Sequence, residues 1–345
     1  MVPEKNTPTD PTAESRKSDH IEMAFNSQVK SGALDRRFYY EPMLSGHPVT
    51  GSLPPLPFLG KTLRVPVWVS SMTGGTALAS TINHNLARAC AEFGMGMGLG
   101  SCRQLLYSNE FLEDFNIRPV IGADLPLFAN LGVAQIEQLI ETHETGRIAD
   151  LVEKLGADGL FIHVNPLQEA MQPEGDHFAR PPLEVIQQVL ELFDFPVIVK
   201  EVGQGFGPAS LRALLKLPLA AIEFAAGGGT NFAKLELLRS DAVKQEIFGK
   251  IAAVGHSAEE MLLWVNEIIS ELGIHEIKTR HLIISGGVSD FLDGYYLTQK
   301  STLPAVYGQA SSFLKHARGD YDALQRYVRA QVEGLALAHA FLRVK

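Results

Sequence analysis

The sequence predicts an α/β protein of the (β/α)8 class, a TIM barrel, and three observations carry that prediction. Short, apolar, β-branched-rich segments recur about eight times from residue 65 onward, with helical patterns between them. The end of each segment runs into glycines and polar residues, as expected where parallel strands open onto a shared mouth. The length of 345 residues is also one at which such a barrel runs as a single unit.

The elements follow in order. Val65-Pro-Val-Trp-Val-Ser70 reads as the first barrel strand. Leu78 to Phe93 has helical spacing through Ile82, Leu86 and Ala89. The remaining strands are expected at 94–100, 125–130, 159–164, 195–200, 219–224, 281–285 and 304–308. Pro182-Leu-Glu-Val-Ile-Gln-Gln-Val-Leu-Glu191 exemplifies the intervening helices, with proline at its start and Leu183, Ile186, Val189 and Leu190 on one face. An open doubly wound sheet would need a switch point and usually a Gly-x-Gly-x-x-Gly turn. The run Gly94-Met-Gly-Met-Gly-Leu-Gly100 fails that pattern in every register, because Leu99, Ser101 or Arg103 stands where the last glycine belongs. Its glycines are expected to mark a strand that a flat ligand approaches closely. Residues 1–13, rich in proline, threonine and charge, are expected to be a disordered tail, and 14–345 a single barrel domain with an N-terminal extension.

Composition narrows the function classes. With 46% hydrophobic and 20% charged residues, the chain is that of a globular protein. No run approaches the roughly 20 apolar residues that span a bilayer, so no membrane partner is expected. A net charge of −9 argues against a nucleic-acid binder, and requires local cations or a metal ion wherever an anionic ligand binds. The only cysteines, Cys90 and Cys102, form no zinc pattern, and the N-terminus shows no secretory h-region; a cytoplasmic setting is expected.

Chemistry concentrates at the strand ends. His163-Val-Asn-Pro-Leu-Gln-Glu-Ala-Met-Gln-Pro-Glu-Gly-Asp176 places an imidazole, carboxamides and carboxylates directly after an apolar strand. Turn formation accounts for Asn, Pro, Gly and Asp there, but not for His163, Gln168 and Glu169. The late turns 226–231, Ser285-Gly286-Gly287 and Gly308-Gln309-Ala310 are rich in glycine. Any one of them reads as a tight turn; together, after the last strands, they suit a phosphate cup, to which Thr230 adds a hydroxyl. Lys200 ends an apolar strand and must be paired, with Glu201 as one option, or must serve a cofactor. Arg16, Lys17 and His20 read alone as a solvated charge run, yet an acidic chain with an anionic ligand needs such cations.

These residues together resemble the type 2, flavin-dependent isopentenyl diphosphate isomerases, from Arg16 to about residue 314. The segment 163–176 is the most specific part, followed by Ser70-Ser-Met-Thr-Gly-Gly75, by Arg16, Lys17 and His20, and by Phe58-Leu-Gly-Lys61. The resemblance implies an FMN-binding barrel that interconverts isopentenyl and dimethylallyl diphosphates, with the reduced flavin as acid–base catalyst. Met72, Thr73, Gly74, Ser101, Asn130, Lys200 and Thr230 match positions that hold FMN, and Gly286, Gly287, Gln309 and Ala310 match its phosphate cup. Arg16, Lys17, His20, Arg103, His163 and Asn165 match contacts to the diphosphate substrate. Gln168 lies near the reacting carbons, with His163 as its catalytic companion, and Glu169 matches the ligand of a Mg2+ ion. NADPH serves only to reduce the flavin, and the family implies a homo-oligomer, a tetramer or octamer.

The chain also departs from the family pattern. Cys102 stands where a glutamine is expected, Val288-Ser289 where Ile-Arg is common, Asn231-Phe232 where Ser-Trp is common, and 291–297 is atypical. The alternative on the same barrel is an FMN-dependent oxidoreductase of the 2-hydroxyacid oxidase group, which has the phosphate cup without the His163 segment and needs no Mg2+. A non-catalytic flavin-binding protein is a third reading, against which His163, Gln168 and Glu169 argue. In this loop Glu174 and Asp176 read as structural.

Overall fold

The computed structural model describes residues 12–49, 51–71, 73–74 and 76–345. Met72 and most of the expected tail therefore lie outside the described residues. The chain divides into two compact units, one ending at Tyr39 and including Lys345, the other spanning Tyr40–Val344. In the first unit a helix, Ala13–Met23, is exposed along its described side chains and is followed by a short 3-10 turn, Ser31–Ala33. Arg37 and Asp35 form an ion pair at 2.6 Å, and the guanidinium holds the carboxyl below its ordinary pKa.

The second unit is a closed barrel of eight parallel strands. They are β1 (Val67–Val69), β2 (Gly96–Gly98), β3 (Leu127–Gly132), β4 (Gly159–His163), β5 (Val197–Lys200), β6 (Ala221–Glu223), β7 (His281–Ser285) and β8 (Ala305–Gln309). Each lies within or beside a segment expected from the sequence, and β8 closes on β1 through Tyr307↔Val67 and Gln309↔Val69. These strands are buried almost throughout because helices cover the outer wall, which is why they read as continuous apolar runs and not as alternating ones. The first of those helices, Ala77–Phe93, starts where the Thr76 hydroxyl accepts from the Ala79 amide. It stops at Gly94, whose φ of +75° suits glycine.

Aromatic rings fill the barrel. Trp68, Phe128 and Phe161 pack with centroids 5.8–6.2 Å apart. Each ring, fully buried, contributes on the order of 1.5–3 kcal/mol. They also correct the reading of the glycine run. A Cβ at Gly96 would lie 2.1 Å from the Trp68 ring, and one at Gly98 would lie 2.7 Å from the Phe161 ring. The flat groups that approach β2 at these two glycines are the protein's own side chains. Beneath Trp68, the hairpin Leu56–Phe58/Lys61–Leu63 presses Phe58 against Trp68 and His281. Lys61 meets Asp158 at 2.5 Å and two backbone carbonyls, so the Phe58–Lys61 motif serves to seal the barrel.

Candidate active site

Strand register sets the centre of the mouth. His163 on β4 pairs with Lys200 on β5, and Lys200 pairs with Glu223 on β6. Parallel pairing thus brings an imidazole, an ammonium and a carboxyl to one level of the barrel. Burial pushes the Lys200 ammonium below its ordinary pKa and Glu223 above its own, each opposed by the charge of the other. Glu223 Oε1 accepts from Ser70 at 2.5 Å and from Ser285 at 3.0 Å, tying β6 to the ends of β1 and β7. Its Oε2 is buried without a partner.

The Glu201 side chain makes no hydrogen bond to Lys200, although its charge, like that of Glu223, favours the ammonium. The Glu201 carboxylate accepts from the backbone amides of Gly203, Gln204 and Gly205 at 2.6–2.9 Å, while Lys200 reaches only the Glu201 carbonyl oxygen, at 3.2 Å. Lys200 lines a cavity of about 250 Å3 with Thr230, Gly286, Gly287, Gln309 and Ala310. Gly286 and Gly287 have φ of +88° and +73°, and a Cβ at Gly286 would stand 2.1 Å from the Ala226 carbonyl oxygen. Glycine is therefore required at Gly286 to form this wall. The Gln309 carboxamide donates to the Val288 carbonyl and accepts from Tyr327, so its side chain braces the wall. Val288 and Ser289 line the cavity where a cation is common in the family pattern, and Ser311 and Ser312 add polar groups. The sequence reading placed Ser70 and Ser285 at strand ends without giving either a partner, and it missed Glu223, Ser311 and Ser312. Glu223 lies within an apolar strand segment, where nothing in the local pattern flags it.

His163 is held by Asn130. The Asn130 amide nitrogen donates to the Leu99 carbonyl at 3.0 Å, which turns its oxygen toward His163 Nδ1 at 2.9 Å. The imidazole must then carry its proton on Nδ1 and keep a lone pair on Nε2. Burial, reinforced by the Lys200 charge, pushes the ring's pKa down to about 3, so it is neutral near pH 7. Gly132 leaves room for the ring, since a Cβ there would lie 2.8 Å from Nε2.

The loop after β4 folds into a short helix, Pro166–Met171, with Pro166 in its first turn. Helical spacing puts Gln168 and Glu169 on the side of Asn165, whose amide nitrogen donates to Gln168 Oε1 at 3.1 Å and to Glu169 Oε1 at 2.7 Å. The Asn165 oxygen is buried without a partner. Gln168 Oε1 and Glu169 Oε1 thus face the same amide group, two oxygen donors brought together within one turn. Arg103, after β2, bonds Asp176 at 2.8 Å, and Asp176 also accepts from Gln135 at 2.8 Å. Asp176 thus joins the site it was read as merely supporting.

The other expected residues fall in separate places. Ser101 is exposed beyond β2, and Cys102 is buried, with its thiol pKa pushed up to about 12 by burial and its Sγ on the Gly100 carbonyl. The residue standing for the expected glutamine therefore faces the core. Thr73 and Gly74 lie beyond β1, where Gly74 abuts Phe115 and the Thr73 carbonyl accepts from Asn83. Arg16, Lys17 and His20 lie on the exposed helix of the first unit.

The donor sets accept the groups that the resemblance implies. The glycine walls, the buried Lys200, and the partnerless Ser71 Oγ and Glu223 Oε2 suit a flat, phosphate-bearing cofactor with hydrogen-bonding edges. Among the described residues no group of three or more His, Cys, Asp or Glu could cage a metal. Mg2+ seldom needs such a cage: one carboxylate and ligand phosphates suffice, and Glu169, half-buried and steadied by Asn165, fits that pattern. No helix among the described residues is long and apolar enough to cross a membrane.

No family model matches the chain. The isopentenyl-diphosphate delta-isomerase of Rickettsia akari (strain Hartford) is 32% identical over 329 residues, covering 93% of this chain and 91% of that protein. The isopentenyl-diphosphate delta-isomerase of Rickettsia typhi (strain ATCC VR-144 / Wilmington) is 32% identical over 309 residues, covering 88% and 85%. Among solved structures, a flavocytochrome b2 variant with sulfite bound superposes with a TM-score of 0.59 at 14% identity, covering 88% of this chain and 72% of that one. A mandelate oxidase mutant with a monooxide FMN adduct gives 0.55 at 14% identity, covering 90% and 88%. At such identities these two likenesses are of fold.

Proposed function

The chain belongs to the isopentenyl-diphosphate delta-isomerase family, and from that premise we propose that it interconverts isopentenyl and dimethylallyl diphosphates as a flavin-dependent, type 2 enzyme. The observation that carries the flavin-dependent reading is the meeting of a glycine-walled cavity holding Lys200 with the His163–Glu169 segment on one barrel mouth.

Moving a double bond by one carbon requires a proton delivered to one carbon and another removed nearby. FMN, reduced at the expense of NADPH, would supply the acid–base group for that shift when bound, with no net redox change. Lys200, Thr230, Gly286, Gly287 and Ala310 would hold it, and the Lys200 ammonium would balance its negative charge. Arg103 would supply a cation that the diphosphate needs in a chain of net charge −9, and the resemblance assigns the same role to Arg16, Lys17 and His20. Glu169 would hold Mg2+ against the diphosphate, with Asn165 keeping its carboxylate in place. Neutral His163, its tautomer set by Asn130, and Gln168 orient the reacting end of the substrate. The protein works as a homo-oligomer, a tetramer or octamer, in the cytoplasm.

The test is an anaerobic assay of photoreduced, FMN-loaded protein with isopentenyl diphosphate, with and without Mg2+. Catalytic dimethylallyl diphosphate formation with the flavin remaining reduced is expected. Product formed only in step with flavin oxidation would favour an FMN oxidoreductase. Glu169→Gln should raise the Mg2+ needed for half-maximal rate by at least about 10-fold while retaining bound FMN.

A further inference from the structure

We propose that Asp176 is a positioning residue for the substrate's diphosphate and its metal ion, resting on the isomerase reading above. Three strand ends meet at its side chain and backbone. The carboxylate Oδ2 accepts from Arg103 Nη1 at 2.8 Å and from Gln135 Nε2 at 2.8 Å. Gln135 is itself buried and accepts from the Gly132 amide at 2.9 Å, which anchors it to the rim of β3. The Asp176 amide meanwhile donates to Glu169 Oε2 at 2.8 Å. One residue so links the cation offered to the diphosphate with the carboxylate offered to the metal.

The contact leaves both ligands open. Asp176 engages one nitrogen of Arg103, so the rest of the fork remains for phosphate oxygens. Glu169 retains lone pairs on both oxygens after accepting from Asn165 and Asp176. The Arg103 side chain is 52% exposed, and an ion pair so exposed adds little to folding stability. Its effect is instead to order a long, mobile side chain before the ligand arrives, which removes part of the cost of binding. Because the side chain's bonds to Arg103 and Gln135 fix the backbone whose amide orients Glu169, substrate and Mg2+ affinity should change together.

Wild type, Asp176→Ala and Asp176→Asn are compared as full-length, FMN-loaded protein. Calorimetry measures inorganic pyrophosphate binding with and without Mg2+, and KM and kcat are measured with isopentenyl diphosphate. For Asp176→Ala, pyrophosphate affinity in Mg2+ should fall about 10-fold, with the Mg2+ requirement and KM rising in step. Its kcat and bound flavin should be nearly unchanged, while Tm falls modestly because the buried Gln135 amide loses its acceptor. Asp176→Asn, which keeps an acceptor oxygen, should recover most of the loss. Should the alanine variant not fold, Gln135→Glu decides in its place: it keeps the acceptor for Gly132 but turns a repelling oxygen toward Asp176, and the same losses are expected. Unchanged affinity, a fall in kcat alone, or weaker pyrophosphate binding at an unaltered Mg2+ requirement would overturn the proposal. If the wild type neither turns over isopentenyl diphosphate nor binds Mg2+-pyrophosphate, the isomerase reading fails first, before any variant is compared.

Discussion

His163 shows how much one hydrogen bond decides. Its position after an apolar strand is plain in the sequence, but its tautomer follows from Asn130 and its neutrality from burial, reinforced by the Lys200 charge, all set by neighbouring strands. The native ring titrates near 3, against an ordinary value of 6.5, so the unfolded chain binds a proton that the native ring refuses. Its contribution to stability is full above pH 6.5 and is lost as pH falls from there toward 3. His163→Gln should therefore show a shallower fall of Tm between pH 7 and pH 5 than wild type in parallel thermal melts. Coincident slopes would mean that the ring is not held neutral. Lys200 and Asn165 were also legible as single residues, because polar groups that end apolar strands stand out. Glu223 was not: it sits inside a segment read as one apolar strand, and its role exists only because β5 and β7 flank it.

At the scale of elements, the turns after β6, β7 and β8 form the cavity wall, and their glycines have a definite steric reason. Alanine at Gly286 would face both a φ of +88° and a backbone oxygen 2.1 Å from its Cβ. The conformational strain alone costs on the order of 1–3 kcal/mol. Gly286→Ala should lower stability by at least about 1 kcal/mol in urea denaturation and lose FMN on gel filtration. Full flavin retention would remove this turn from the cofactor wall. By contrast, Gly96 and Gly98 looked like ligand-facing glycines but accommodate Trp68 and Phe161. A glycine tells that something comes close; whether it is a ligand or a side chain depends on what the barrel has already placed there.

The whole molecule rests on the aromatic plug within the barrel. Phe161 touches both Trp68 and Phe128, and its ring fills the space beside Gly98, which has no side chain to move into the gap it would leave. Phe161→Ala should cost about 3–5 kcal/mol, read as a lower urea midpoint without a change in slope. A loss below about 1 kcal/mol would mean that the barrel interior can collapse around the cavity.

Local pattern alone carried the eight strands, the barrel class and the identity of the polar strand ends. Each strand is short, apolar and bounded by glycine or polar residues, and burial on both faces leaves that signature whatever the neighbours are. Pairing was beyond its reach. Asp176 meets Arg103 across 73 positions and Gln135 across 41, contacts that arise from barrel closure and not from spacing along the chain. The same closure sets Glu223 beside Lys200 as a second carboxylate, besides its sequence neighbour Glu201, because residues in register across strands share one face of the sheet.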